Sequence, residues 1–574
     1  MSIQQSNITG LNYDLVLGVS QRSINAIMKT YYTNAADYFL EQTCYFIRSL
    51  SLNRQEALEM MGNQDPFEIS SWNGQGAMPA NIQSCVNGGF TCAFKFIPGD
   101  PGDPTVPTFP AWDYSYLTYL PQETFYGQTY NYIMCCSNIQ VVCWDPFTNI
   151  WTNYTQPSTK GSPVGSIVKF AAYATLFNQT KIFNASDNTI PQDVQTQAGI
   201  FKANNVSFNL QQFVLNLDAM QPSTMGVNLP FMATIDEFYY TLAQCFITAY
   251  SGALKSSFKS VPTFCYALPI TSQLGITFVN PTNMQTLIEN YVDTNGNVVS
   301  NPTADQASLS TVNYFCAING DTPVATQQFE WNWLDSDSDE SNYDGAMAIS
   351  KYALAKVIDS QMRRYVEINC WQPQVSCSQV NGADQWYFGM ENGTLNCNPL
   401  VTDNSNANML EYSYQSSGKA NGVVNTSDNV EIDFQYTATV AISSTTTITV
   451  SQKVQVSYLA NGSGGIPIQN TYTDVYSIIA QPNGTLDFKL VSSNDPSFEP
   501  PTNLPDLTQD EIAQFDEALQ KCVYEFGSTD LSPQPLGTIQ QVVFPGGNTF
   551  MFNSAQFAPS NDLVFEVTYL KTNL

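Results

Sequence analysis

Histidine is missing altogether from the 574 residues. Its absence removes the Ser-His and Cys-His nucleophile pairs and every histidine-metal mechanism. Positive charge is scarce too. Lys and Arg number 20 against 49 Asp and Glu, for a net charge of −29. Phosphate backbones need a basic footprint, so nucleic acid is excluded as a partner. Anionic membranes are repelled on average by the same field. Charged residues make up only 12% of the chain, about half the usual share. No C-x-x-C spacing occurs, which argues against zinc ribbons and thioredoxin-type redox sites. No run approaches the ~18 apolar residues of a membrane-spanning helix. The opening MSIQQSNITGLNYDLVLGVS has neither a basic start nor a long apolar stretch. No signal peptide is therefore expected, and the chain reads as made in the cytoplasm, with any release non-classical.

Catalytic signatures are equally absent. There is no G-x-x-x-x-G-K-[ST] loop, no G-x-S-x-G elbow and no D-[ST]-G pair. The expectation is a protein that is not an enzyme and carries no cofactor. The acidic segment WLDSDSDESNYDG holds Asp335, Asp337, Asp339, Glu340 and Asp344 and starts like a calcium loop. The pattern fails where it matters, with Glu340 at the glycine position and Ala346 at the bidentate one. It reads as a solvated loop, and no metal site is assigned.

What the chain does contain argues for a folded protein. Hydrophobic residues reach 43% and aromatics 13%, far from the composition of disorder. At the usual domain size the length implies two to four domains. The 13 cysteines leave two readings open. Disulfides are suggested by the adjacent Cys135-Cys136 and by the spacings Cys85/Cys92 and Cys370/Cys377. Buried free thiols are the other reading.

Four segments have helical apolar spacing. The first runs from Gln21 to Arg48, the second opens at Thr234 with a capping box to Glu237, and the third follows Ser350. The fourth opens at Thr508 with a capping box to Glu511. Between them the chain reads as strands. Ile432 to Tyr458 alternates strictly around a turn at Ser443–Thr446, and Phe90, Cys92, Phe94 and Phe96 alternate as well. Pro482-Asn483-Gly484 signals another hairpin. The segment near 98–112 is a Pro-rich loop.

One pattern occurs twice. Leu17, Val19, Ser20, Ile24, Ile27 and Met28 match Met347, Ile349, Ser350, Leu354, Val357 and Ile358 in character, each pair 330 residues apart. Both read as a short strand that ends on serine and turns directly into a long helix. Each is followed by β-rich sequence and then by a Thr-x-x-Glu-capped helix. Two copies of one α+β unit are expected, 1–310 and 311–574.

The opening YDLVLGVSQRSINAIMKTYY and the second start DGAMAISKYALAKVIDSQM resemble the tubular lipid-binding (TULIP) superfamily. They look most like the OrfX-type accessory proteins of neurotoxin gene clusters. The resemblance implies an α+β fold of two TULIP-like units, each a long twisted antiparallel sheet wrapped around a long helix. It also implies a function: non-catalytic binding of lipid or another apolar ligand in a groove between helix and sheet. Ile24, Met28, Tyr31, Leu354, Ile358 and Met362 are then the candidate groove residues. The alternative is a structural or interaction protein, such as a component of a toxin-associated or insecticidal assembly, or a self-associating crystal or storage protein. A Tyr-rich, Lys-poor surface suits such packing.

Overall fold

The computed structural model describes residues 2–25, 41–48, 50–98, 116–119, 129–155, 169–182, 209–215, 221–222, 263–267, 281–318, 324–334, 343–480, 485–494, 504–524, 531, 534–535, 542–543 and 550–569. The described part is α+β, rich in antiparallel sheet. The chain enters as β1 (Leu15–Ser20), and residues 21–25 begin a helix, as the sequence predicts. The prediction that this helix reaches Arg48 is corrected. Gln42–Ile47 is a strand, β2, and it pairs antiparallel with β3 (Phe90–Pro98). Tyr45, Phe46 and Ile47 are all buried. A strand covered on both faces has no period of two to betray it. Two short helices precede β3: α1 (Arg54–Met60), with an Asn53/Glu56 capping box, and α2 (Ala80–Gly88). Beyond β3, β4 (Thr129–Asp145) turns into β5 (Ile150–Thr155). Strands β2 to β5 belong to an eleven-stranded sheet. Its α1–α2 side closes over Tyr45, Ile47, Phe67, Ile82, Phe90 and Trp151.

The later part of the chain contributes β6 (Pro281–Glu289), β7 (Thr311–Ile318) and β8 (Gly345–Ile349). Ser350 then caps α3 (Lys351–Ile368), accepting the Ala353 N–H at 3.2 Å. A hairpin of β9 (Trp371–Val380) and β10 (Ala383–Asn392) follows. Next come β11 (Asn408–Asn421), β12 (Asn429–Ile442), β13 (Thr447–Ala460), β14 (Ser463–Ala480) and β15 (Thr485–Asn494), paired in sequence order. Strands β11 to β14 span 14–18 residues, more than twice the common strand length of ~5–6. In β12 and β13 alternate side chains are buried, and the turn between them falls at Ser443–Thr446 as expected. The turn expected at Pro482-Asn483-Gly484 lies outside the described residues, although β14 and β15 pair around it. The Thr234 helix and the residues after Pro98 in the Pro-rich loop also lie outside them.

The last helix, α4 (Gln509–Tyr524), starts at the predicted cap. Thr508 donates from its backbone N–H and its hydroxyl to Glu511 Oε2, at 2.8 and 2.7 Å. The other oxygen of Glu511 accepts the Trp386 N–H at 2.7 Å, tying α4 to β10. Thr508→Ala should cost about 0.5–2 kcal/mol in urea melts, the usual effect of a lost cap. A neutral substitution would show that Glu511 alone holds this helix end.

The chain closes with β16 (Phe550–Phe557) and β17 (Leu563–Tyr569). These join strands from far upstream in a six-stranded sheet of order β6-β7-β1-β8-β17-β16. At its centre Leu17 lies directly opposite Met347, the two residues matched by the 330-residue offset. Gly345 permits the close approach of the pair, since a Cβ there would sit 2.2 Å from the Gly18 carbonyl oxygen. Every residue of β1, β7 and β8 is buried. Alternation divides the side chains between two cores. Leu15, Leu17, Tyr314, Met347 and Phe565 face the large core shared with α3. Val16, Phe315, Ala346, Ala348 and Val564 face the other side, where the irregular segment 324–334 lies across the sheet. In that segment Phe329 stacks on Trp331 with centroids 4.2 Å apart, and Trp333 packs over Gly18.

The N-terminal residues are pinned to this sheet by Asp562, which is wholly buried. Its carboxylate accepts the Ser6 hydroxyl at 2.7 Å, the N–H groups of Ile8 and Thr9 at 2.7 and 3.0 Å, and the Thr9 hydroxyl. Burial raises its pKa against the pull of these donors. Cys85, Cys370 and Cys377 carry free thiols, so neither seven-residue pairing forms. Burial pushes the thiols of Cys85 and Cys370 up to about 12.

Candidate functional site

Four of the six candidate groove residues, Ile24, Leu354, Ile358 and Met362, come together in one core, each 1% exposed or less. Met28 and Tyr31 lie outside the described residues. The face of α3 that carries Leu354, Ile358 and Met362 also carries Val357 and Val366. It shares this core with the inward side chains of β12 and β13, among them Phe434, Tyr436, Val440, Val450 and Val454. The spacing of i, i+4 and i+8 along α3 meets the period of two along the strands, so both surfaces are apolar where they face inward.

The start of α3 is set by an unusual residue. Lys351 is fully buried, although a cation at a helix N-terminus opposes the dipole. Its ammonium donates to the carbonyl oxygens of Asp403, Asn406 and Asn408, at 2.6, 3.0 and 3.3 Å. Its backbone N–H donates to Thr9 Oγ1 at 2.9 Å. Burial lowers its pKa, and the nearby Asp403 pulls it back up. The helix is thus fixed at one end to both the N-terminal residues and the loop before β11.

Few polar atoms reach the helix–sheet interior. Tyr436 donates to Gln452 Oε1 at 2.7 Å, with both residues buried. Gln361 Nε2 on α3 and Trp371 Nε1 on β9 are among the buried side-chain atoms of the described residues that have no hydrogen-bond partner.

A concavity lies where the β9–β10, β11–β12 and β13–β14 turns meet. It has a volume of about 380 Å³ and is lined by Asp384, Trp386, Asn425, Asp428, Asn461 and Asp506, among others. Asp384 Oδ1 accepts the N–H groups of Val423 and Val424 at 2.8 and 2.7 Å, and its Oδ2 accepts that of Asn425 at 3.0 Å. These amide donors hold its carboxyl below the usual carboxylate range. Sequence reasoning does not find this place. Its local signs are the Asn-Gly turns at 381–382 and 461–462, where both residues of each pair take positive φ. Among the described residues, no cluster of three or more Cys, Asp or Glu side chains is arranged to hold a metal ion. No described helix is long and apolar enough to cross a membrane.

No family model matches the chain, and no curated protein matches it. Among solved structures, it is similar to P47 of Clostridium botulinum. The P47 of strain E1 is 11% identical over 97% of this chain and 98% of its own, with a TM-score of 0.44. The P47 of strain A2 is 9% identical over 97% of each chain, also with a TM-score of 0.44. A lipopolysaccharide binding protein is 8% identical over 98% of this chain and all of its own, with a TM-score of 0.27.

Proposed function

We propose that this protein is a non-catalytic binder of lipid or another apolar ligand, built from two TULIP-like units, 1–310 and 311–574. The observation that carries the reading is the shared apolar core of α3 and the long β12–β13 strands. Ligand sites of this kind are mostly apolar, with a few polar groups that orient the bound molecule. Gln361 Nε2 and Trp371 Nε1 would serve a carbonyl or ester oxygen of the ligand.

The test is native mass spectrometry with lipid extraction, paired with fluorescent-lipid binding to Met362→Trp. A bound lipid in the parent, and reduced uptake in the variant at little cost in stability, are the expected results. Suppose instead the parent binds no lipid and the variant loses about 1–3 kcal/mol, the usual cost of overpacking a closed core. The binding reading then falls. The interaction-protein reading would gain, and a specific observation favours it. Phe147, at the β4–β5 turn, and Leu50 are 85% and 62% exposed.

A further inference from the structure

We propose that Cys92 and Cys143 are a redox-responsive pair, two thiols in this structure that a peroxide converts into a cross-strand disulfide. The two residues stand directly opposite each other where β3 pairs with β4. Opposite residues of an antiparallel pair have Cα atoms about 4.5–5.5 Å apart, inside the ~4.4–6.8 Å that a disulfide spans. Both side chains belong to the same core, with Phe46, Phe94 and Val141. Their neighbours Ala93, Val142 and Trp144 belong to the other core, on the α1–α2 side. The two Cβ atoms therefore leave the sheet on one face, as a bridge requires. Both sulfurs are thiols here. Among the described strand pairs no other two cysteines are opposite. Cys44 stands opposite Phe94, Cys377 opposite Trp386, and Cys316 between Leu15 and Met284.

The pair sits in a row that crosses four strands, from Phe46 on β2 through Cys92 and Cys143 to Thr152 on β5. Cys92 is 1% exposed, Cys143 is 6% exposed and Thr152 is half-buried, so the row opens toward its β5 end. A water-sized oxidant meets Cys143 first. Burial pushes that thiol up to about 12, against the pull of its hydrogen bond with Thr152. Thiolate is then scarce at neutral pH, and the reaction is slow there. In the first step the Cys143 thiolate attacks hydrogen peroxide. The O–O bond breaks, a sulfenic acid forms, and the departing hydroxide takes up the proton that the thiol lost. The Cys92 sulfur then attacks the Cys143 sulfur. The S–O bond breaks, and its oxygen leaves as water with the Cys92 proton. Two thiols and one peroxide become one disulfide and two waters, with sulfur oxidised and peroxide oxygen reduced. The bridge draws the two Cβ atoms closer than the ladder holds them, and strained disulfides are the ones readily reduced again. The pair thus suits reversible oxidation rather than permanent cross-linking.

The experiment treats the folded full chain with hydrogen peroxide, blocks the remaining thiols in denaturant and maps the peptides by tandem mass spectrometry. Fragment ions separate Cys92 from Cys85, and Cys143 from Cys135 and Cys136. Far-UV circular dichroism checks that the fold is kept. The expected product is a peptide pair joined through Cys92 and Cys143, formed faster as the pH rises and lost with dithiothreitol. Cys44→Ser should leave the link intact. In Cys92→Ser, dimedone should label Cys143, whose sulfenic acid then lacks its partner. An unlabelled Cys143 would refute its place as the first sulfur oxidised. No link at any peroxide dose that keeps the fold, or a link that forms only in urea, would overturn the proposal. So would a native link from either residue to a different cysteine. The wild-type map depends on no variant's folding, so it decides by itself.

Discussion

Replacing Asp562 with alanine should lower the stability to urea by about 3–5 kcal/mol. The carboxylate is wholly buried and accepts four hydrogen bonds from Ser6, Ile8 and Thr9. Alanine leaves those donors without acceptors, and each buried orphan costs about 1–3 kcal/mol unless water reaches it. Thr9 also accepts the Lys351 N–H, so disturbance at Asp562 passes to the start of α3. Ser6→Ala removes one donor and leaves the carboxylate three, so it should cost about 1 kcal/mol. Equal midpoints for the wild type and Asp562→Ala would mean that the N-terminal segment contributes nothing to the cooperative unit.

The second large effect is on the pH dependence of stability. Glu289 is raised from 4.5 to about 8 in the fold, and Asp562 is raised as well. A raised carboxyl binds its proton more tightly in the native state than in the unfolded chain. Its contribution is therefore complete below pH ~4.5 and is lost as the pH climbs through about 8. For Glu289 alone the loss is on the order of 5 kcal/mol, since a tenfold difference in proton affinity is worth about 1.4 kcal/mol. Urea melts at several pH values across that window should show the wild type weakening steadily. Glu289→Gln should flatten the slope, leaving the part due to Asp562 and to general charge repulsion. A slope unchanged by the substitution would place the titrating group elsewhere.

The elements legible in the sequence are those whose signals are local. Ser350 stands directly before an amphipathic run, Thr508 and Glu511 form a box, and 432–458 alternates without a break. Each is specified by residues within one or two turns of itself. Strand β2 reads as helix because its three buried residues in succession carry no period, and only pairing with β3 defines it. Helix α1 obeys the same capping rule as α4, but its seven residues bury only Ala57, too little for a stripe. The apolar face of α3 is readable as Leu354, Ile358 and Met362, though which surface it meets is not. The pocket at the turns is invisible, because residues 384, 425–428, 461 and 506 meet only in three dimensions. Glu289 carries no mark either. A glutamate at the end of Thr-Leu-Ile looks like any strand terminus until β7 and residues 324–334 close over it.

The order of the central sheet has a consequence for biosynthesis. Strand β1 leaves the ribosome long before β17, the outer neighbour of β8. The partners of β1, β7 and β8, arrive some 300 residues after it. Pairings so distant in sequence form slowly, because loop closure must precede any favourable contact. Until β17 emerges, the outer edge of β8 is an unpaired row of amides and carbonyls, open to a strand from another chain. Loss of Leu563–Tyr569 would leave that edge of β8 permanently open. Holding chaperones would accordingly be needed longest for strands that emerge well before their partners.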